Sequence, residues 1–231
     1  MISFLISAIK IIFLLGFLIG IHETGHFLIA KLCKVRVNEF AIGFGPVIWK
    51  KQGKETKYEL RLIPLGGFVN MEGEAEQSEK EGSFTKASIP RRIAIVAAGA
   101  LVNIIFAIMV YFILAMTIRG NLTNAVVGNR VLDADNFGNR LYFASYNTKE
   151  FMLSIAESVK QLFTGKVSSA ELVGPVGISE VVAKTNGFRE FIYILAAISI
   201  SLGVTNLLPF PPLDGGKIVL ILLETIRRKP L

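Results

Sequence analysis

The sequence predicts a membrane α-helical bundle with three core transmembrane helices and a membrane re-entrant β-hairpin on the cytoplasmic side. Composition is the first reason: 52% of the 231 residues are hydrophobic and the mean hydropathy is +0.55, which exceeds that of an ordinary soluble domain. The second reason is three long apolar runs. The third is the formal net charge of +7, which is concentrated beside those runs and so favours membrane-flanking loops over a nucleic-acid-binding surface.

One intramembrane domain is expected over residues 1–231. Residues 1–32 form the first transmembrane helix, because this run is too long for a cleaved secretory signal. The prolines and glycines of NLLPFPPLDGG end the third helix. The other predicted segments are residues 35–72 for the re-entrant hairpin, 93–118 for the second transmembrane helix, 119–190 for an outer loop with an amphipathic helix, 191–216 for the third transmembrane helix with LDGG, and 217–231 for a short cytoplasmic helix.

The distribution of basic residues orients the chain. Residues 31–92 contain 12 Lys and Arg in 62 positions, whereas residues 117–188 contain 7 in 72. Cytoplasmic loops are enriched in Lys and Arg. We therefore expect the first loop and the carboxyl-terminal tail in the cytoplasm, and the amino terminus and second loop outside.

Two extra-membrane segments carry regular patterns. VNEFAIGFGPVIWKK and KYELRLIPLGGFVNM are β-rich runs separated by the polar QGKET, which predicts a hairpin. The hairpin either enters the membrane or packs on the helices. In the second loop, apolar residues recur at helical spacing and could face the membrane or the protein: Phe151, Ile155, Val159 and Leu162.

The pentapeptide HETGH near the end of the first apolar run predicts a metal site. His22 and His26 are four residues apart, about 400° of helix, so they share one face one turn apart. That spacing lets both imidazoles reach one zinc ion, and Glu23 beside them can accept a proton from metal-bound water. Ionisable groups in a membrane run are costly and mark function. These are the only two histidines of the chain.

A hydrolytic zinc needs a third protein ligand. Cys33 lies about two helical turns, roughly 10 Å, past His26 and is too far to share the ion. Asp214 follows the third apolar run between turn-forming residues and is expected at the same cytoplasmic depth as the histidines. An aspartate that only caps the following helix is the competing interpretation.

Four motifs together resemble the site-2 protease family, in particular its bacterial regulator-of-sigma-E branch. They are HETGH, LIPLGGFVNMEGE, AAGALVN and GVTNLLPFPPLDGG, in this order along most of the chain. The resemblance implies an intramembrane zinc endopeptidase of the bacterial inner membrane that cuts transmembrane segments near the cytoplasmic side. It implies zinc binding by His22, His26 and Asp214, with Glu23 as the general base.

The resemblance also implies substrate-binding residues and partners. Asn206 would hold substrate backbone or the developing oxyanion, or else bond carbonyls of its own broken helix. Gly66 and Gly67 belong to a hairpin whose edge could hold an extended peptide by strand addition. Gly99 and Asn103 would allow close helix packing. The implied partners are the lipid bilayer and single-span membrane proteins such as anti-sigma factors or signal-peptide remnants.

Two departures from the family pattern are expected: a PDZ domain missing from the outer loop and a missing last transmembrane helix. The alternative function is a non-catalytic membrane metal-binding or scaffold protein that retains the fold. Glu23 discriminates between the two, because metal binding alone does not need a carboxylate beside the first ligand.

Overall fold

The computed structural model describes residues 2–76, 78–118, 120, 122–164, 175–185 and 187–227. The elements in chain order are α1 (Ile2–Leu32), β1 (Val37–Gln52), β2 (Lys57–Met71), α2 (Ile89–Met116), β3 (Ala125–Val127), β4 (Arg130–Leu132), α3 (Phe137–Phe163), α4 (Pro175–Ala183), α5 (Phe188–Asn206) and α6 (Asp214–Arg227). Residues 165–174 of the predicted outer loop, the side chain of Leu162 and residues 228–231 of the predicted last helix lie outside the described part.

Three helices are long and apolar enough to cross a membrane, at Leu5–Leu32, Ile89–Met116 and Phe188–Asn206. With the hairpin they fit the predicted membrane helical bundle. The second helix begins four residues earlier than predicted, at Ile89, because Pro90 is tolerated in a first helical turn. The third ends at Asn206, and the residues up to Leu213 form turns that separate it from α6.

The chain divides into two compact units, residues 1–105 with 198–231 and residues 106–197. In the first unit, α1 and α2 approach closely: a Cβ added to Gly25 would lie 2.7 Å from the Ala98 carbonyl oxygen. A buried apolar cluster lies where the carboxyl-terminal end of α1 meets the amino-terminal end of α2, and Cys33 packs against it as an ordinary apolar residue. The cluster consists of Ala30, Val35, Val37, Met71, Phe84, Ile95, Val96 and Ile221.

The β1–β2 hairpin folds into four strand segments rather than two straight strands. Residues 47–52 pair antiparallel with 57–61, and residues 37–42 pair antiparallel with 67–71. Glu39 to Ile42 also pair with Lys57 to Leu60, and the residue numbers increase along both segments in the same direction. These two inner segments are therefore parallel. β1 bends at Gly43 and Gly45, whose positive φ angles of 93° and 80° favour glycine. Residues 67–71 therefore form one edge of the sheet.

The second unit contains β3, β4, α3, α4 and the adjoining parts of α2 and α5. Leu122, Val127 and Leu132 form its small buried cluster against aromatic residues of α3. The predicted amphipathic stretch lies in α3, where Phe151 stacks on Tyr111 of α2 with ring centroids 4.2 Å apart. For Phe151, the structure thus favours packing on the protein over a membrane-facing position.

Candidate metal centre

Three ligand-type side chains converge in the first unit: His22, His26 and Asp214. The two histidines lie one turn apart on α1, and Asp214 is the first residue of α6. Each side chain is only 11–12% exposed. The structure thus brings the far-separated aspartate to the histidine pair, and Asp214 is at once a helix-start residue and a neighbour of both imidazoles.

The three converging atoms form a nearly equilateral triangle. His22 Nε2 lies 3.1 Å from His26 Nε2, and Asp214 Oδ2 lies 3.2 Å from the first and 3.3 Å from the second. In a tetrahedral zinc site with bonds of about 2.0–2.1 Å, neighbouring ligand atoms are about 3.3 Å apart. The triangle therefore fits zinc in both its dimensions and its atom types.

Hydrogen bonding favours the same conclusion. His26 Nδ1 donates to the Ile95 carbonyl oxygen at 2.8 Å, so in the neutral ring Nε2 carries a lone pair that faces the triangle. Asp214 Oδ2 is buried and makes no hydrogen bond of good geometry with any described residue. A lone pair and a carboxylate oxygen that face each other in a buried site repel unless a metal ion or a proton lies between them.

Gly99 of α2 provides the space that the two imidazoles occupy. A Cβ added at this position would lie 2.8 Å from both His22 Cε1 and His26 Cδ2, and still closer to His26 Nε2. The expectation that Gly99 allows close packing agrees with this geometry. Asn103, one turn further, is fully buried, and its backbone oxygen accepts a 2.9 Å hydrogen bond from Ser199.

Asp214 is positioned by the turns that precede α6. The Leu213 amide donates to the Phe210 carbonyl at 2.8 Å, and the Gly216 amide donates to Leu213 at 3.0 Å. Gly215 lies against the carbonyl oxygens of Leu207 and Leu208, where any side chain would clash with backbone. The two glycines of LDGG therefore let α6 start close beneath the end of α5.

Glu23 and Gly67 line a cavity of about 200 Å³ together with the three ligand-type residues. A Cβ on Gly67 would lie 2.8 Å from Glu23 Cγ and 2.9 Å from the Ala41 carbonyl oxygen. Glu23 thus lies on the same cavity as the triangle of ligand atoms but is not one of its corners.

Two other predicted site residues lie elsewhere. A Cβ on Gly66 would overlap the ring of Phe44, and Gly66 does not line the cavity. Asn206 is the last residue of α5 and does not line it either. The substrate-binding roles of Asn206, Gly66 and Gly67 stay predictions.

Sequence reasoning missed a charged pair in the cavity wall. Lys217 Nζ donates to Glu74 Oε1 at 2.8 Å, and both residues line the cavity. Burial works to lower the pKa of Lys217, but the surrounding carboxylates, Glu74 first among them, outweigh burial and raise this pKa above its ordinary value. The position of Lys217, three residues after Asp214 on one helix face, is the sequence signal that could have found it.

Comparisons with known proteins show the family of this chain. A model of peptidase family M50 matches residues 10–231. A protein of Fusobacterium nucleatum, named as an inferred zinc metalloprotease, is 30% identical over 306 positions that cover 97% of this chain and 89% of the relative. One of Clostridium acetobutylicum with the same kind of name is 31% identical, covering 93% and 86%. The regulator of sigma-E protease of Escherichia coli is 43% identical over 118 residues, 49% of this chain and 26% of that protein.

The first alignment has 306 positions and this chain has 231 residues, so at least 75 positions hold a residue in the relative alone. The predicted loss of a PDZ domain stays a prediction. The apolar helices, the family model and the named relatives make this protein a membrane zinc metalloprotease. The chain belongs to peptidase family M50, the site-2 protease family.

Proposed function

We propose that this protein is an intramembrane zinc endopeptidase that hydrolyses peptide bonds within transmembrane segments of other membrane proteins. The observation that carries the proposal is the buried triangle of His22, His26 and Asp214 with Glu23 on the same cavity. Two of its corners are on a helix long enough to span a membrane. A hydrolytic centre on such a helix is suited to substrates that are themselves in the bilayer.

His22, His26 and Asp214 would hold the zinc ion, which acts as a Lewis acid and lowers the pKa of a bound water to about 7. Glu23 would act as the general base, accept a proton from the attacking water and return it to the leaving amine. The Ile95 carbonyl would fix the ring of His26 through Nδ1. The close α1–α2 contact would exclude bulk water from one side of the cavity.

The edge segment 67–71 would bind the substrate. In the register of the described sheet these residues pair on one side with 37–42 and leave the other side open. A peptide added to that edge would be extended, as hydrolysis requires, because a helical peptide hides its carbonyl groups. Gly67 lets this backbone lie close to Glu23. Asn206 is proposed to assist with the substrate backbone or to bond the carbonyls where α5 ends.

The hairpin is proposed to enter the membrane from the cytoplasmic side. Its bend carries exposed apolar side chains that water would not favour, among them Phe44, Ile48 and Trp49. The excess of Lys and Arg in residues 31–92 supports the same orientation. The protein would thus be a multi-pass protein of a bacterial inner membrane, cutting single-span proteins such as anti-sigma factors or signal-peptide remnants near the cytoplasmic face.

A non-catalytic metal-binding or scaffold protein is the second candidate. The same triangle could hold zinc without hydrolysis, so Glu23 separates the two functions. A metal binder has no need for a carboxylate that faces the metal cavity without being a ligand.

The test is cleavage of a single-span model substrate by purified protein in detergent, with Glu23→Gln and Glu55→Gln measured beside it. Glu23→Gln should reduce cleavage by about 100-fold to 10,000-fold and keep the zinc content of the parent. Glu55 is an exposed hairpin residue paired with Lys31, and its amide variant should cut like the parent. Equal cleavage by Glu23→Gln and parent would refute the general-base role. Zinc binding without cleavage by the parent would favour the scaffold.

A further inference from the structure

A second cavity, of about 500 Å³, lies directly beside the metal centre in the same compact unit. Four residues line both cavities: Phe68, Glu74, Val96 and Lys217. Neither the histidine pair nor Glu23 nor Asp214 lines the second one. We call it the side chamber. It is a neighbour of the reacting centre and shares a wall with it, but it is not part of the zinc site.

The edge segment 67–71 connects the two cavities by strand alternation. Successive side chains of a strand point to opposite faces. Gly67, Val69 and Met71 line the metal cavity, whereas Phe68 and Asn70 line the side chamber; Phe68 lines both. A peptide added to this edge follows the same alternation, so every second side chain of that peptide would point towards the side chamber.

The lining indicates what the side chamber can accept. Its apolar surface comes from Phe68, Ala75, Phe84, Val96, Leu220 and Ile221. Its four charged residues are paired: Arg92 Nη1 donates to Glu224 at 2.7 Å and Lys217 to Glu74 at 2.8 Å. Their formal charges cancel, and no unpaired charge is left among them to hold an ionic ligand. The Arg92 guanidinium also lies 5.1 Å from the ring centroid of Phe84, which fixes that wall.

We propose that the side chamber is a specificity subsite, which takes one large uncharged apolar side chain of the substrate on the strand added to residues 67–71. This inference rests on the proposed function. Among peptides that reach the metal centre, the enzyme would select those with leucine or phenylalanine at one fixed position relative to the cleaved bond.

The test uses a leucine- and alanine-rich single-span peptide with alanine, leucine or phenylalanine at one position at a time. The parent should cleave the phenylalanine or leucine peptide at least about tenfold better than the alanine peptide at one position, as burial of a large apolar group predicts. Ala75→Trp should remove this preference, because the indole would occupy the space in the chamber that the substrate side chain needs. Ala75 is exposed, so the substitution does not disturb the core.

Glu76→Trp is the matched control. Glu76 is the next residue, is also exposed and does not line the side chamber. This variant should keep the preference of the parent. A preference that persists in Ala75→Trp at every position would overturn the proposal.

Photo-crosslinking tests the side chamber independently of whether the protein is a protease. The same peptide, carrying benzoylphenylalanine at successive positions, is bound to Glu23→Gln protein, which need not cut. Crosslinks to Phe84 or Leu220 from alternate positions support the side chamber, even if the parent shows no cleavage. Crosslinks that never reach these two residues refute it, even if the parent cleaves.

Discussion

Replacing Gly99 with alanine is expected to weaken zinc binding while α2 stays helical. In an exposed helix this change stabilises by about 1 kcal/mol, because alanine has the higher helix propensity. At this position the added methyl group would lie 2.8 Å from His22 Cε1 and from His26 Cδ2. Ordinary contacts to a Cβ begin at about 3.4 Å, so both rings must move by several tenths of an ångström.

That displacement acts directly on the ligand triangle, whose edges of 3.1, 3.2 and 3.3 Å already match a tetrahedral zinc site. Altering the orientation of a ligand typically costs about 10–100-fold in metal affinity. We expect a loss in this range for Gly99→Ala. Overpacking should also lower the stability of the zinc-free protein by about 1–3 kcal/mol.

The assay is competition for zinc between the detergent-solubilised protein and a chromophoric chelator, with helicity measured by circular dichroism. Gly20→Ala is the matched control, because Gly20 is also a helical glycine of the first unit and its added Cβ would meet only Ile42 Cδ1, at 3.7 Å. This control should bind zinc like the parent. Equal zinc affinity of Gly99→Ala and parent would refute the reasoning that Gly99 provides the space for the imidazoles.

Two further predictions concern the hairpin and the loop that follows it. Gly67→Ala should lower kcat/KM at least about tenfold with zinc content unchanged, because its methyl group would meet Glu23 and the backbone of Ala41. Gly66→Ala should have a milder effect, because the three atoms nearest its methyl group all belong to the ring of Phe44, which is half-exposed and can move. Hydrogen bonds from the Ser78 hydroxyl first, and then from Lys80 and Asn38, lower the pKa of Glu72 to about 2. The ionised carboxylate therefore stabilises the fold above its ordinary pKa of 4.5, and this contribution is lost as the pH falls towards 2. Glu72→Gln should accordingly flatten the acid dependence of the melting temperature.

The measurements are steady-state cleavage for the two glycine variants and thermal unfolding in detergent between pH 7 and pH 3 for Glu72→Gln. If Gly66→Ala is impaired as much as Gly67→Ala, the close approach to Glu23 is not what matters. If parent and Glu72→Gln lose stability alike on acidification, other carboxylates dominate the acid response.

Local sequence pattern was enough to predict several features. The four-residue spacing of His22 and His26 places them on one face of any helix, whatever surrounds it, because the helical period is fixed. Runs of apolar residues likewise predicted three long helices, which the structure contains. Alternation and turn residues predicted the hairpin, although not its four segments, because the reversal at Gly43 and Gly45 depends on pairing with distant residues.

The sequence by itself determined that His22 and His26 lie on one helix face, that the Glu23 carboxylate is beside them, and that the apolar spans are helices. Each of these features depends on residues within a few helical turns of one another. Only the tertiary structure decided that Asp214 meets those imidazoles, that Gly67 rather than Gly66 lines the cavity, and that Lys217 pairs with Glu74 in its wall. The physical reason is range. The helical period acts over a few residues, whereas the position of Asp214 depends on two close approaches between distant elements. At Gly25 and Gly99, α2 packs against α1, and at Gly215, α6 packs beneath the end of α5. Each approach is possible because the glycine has no Cβ where distant backbone or side-chain atoms come into contact.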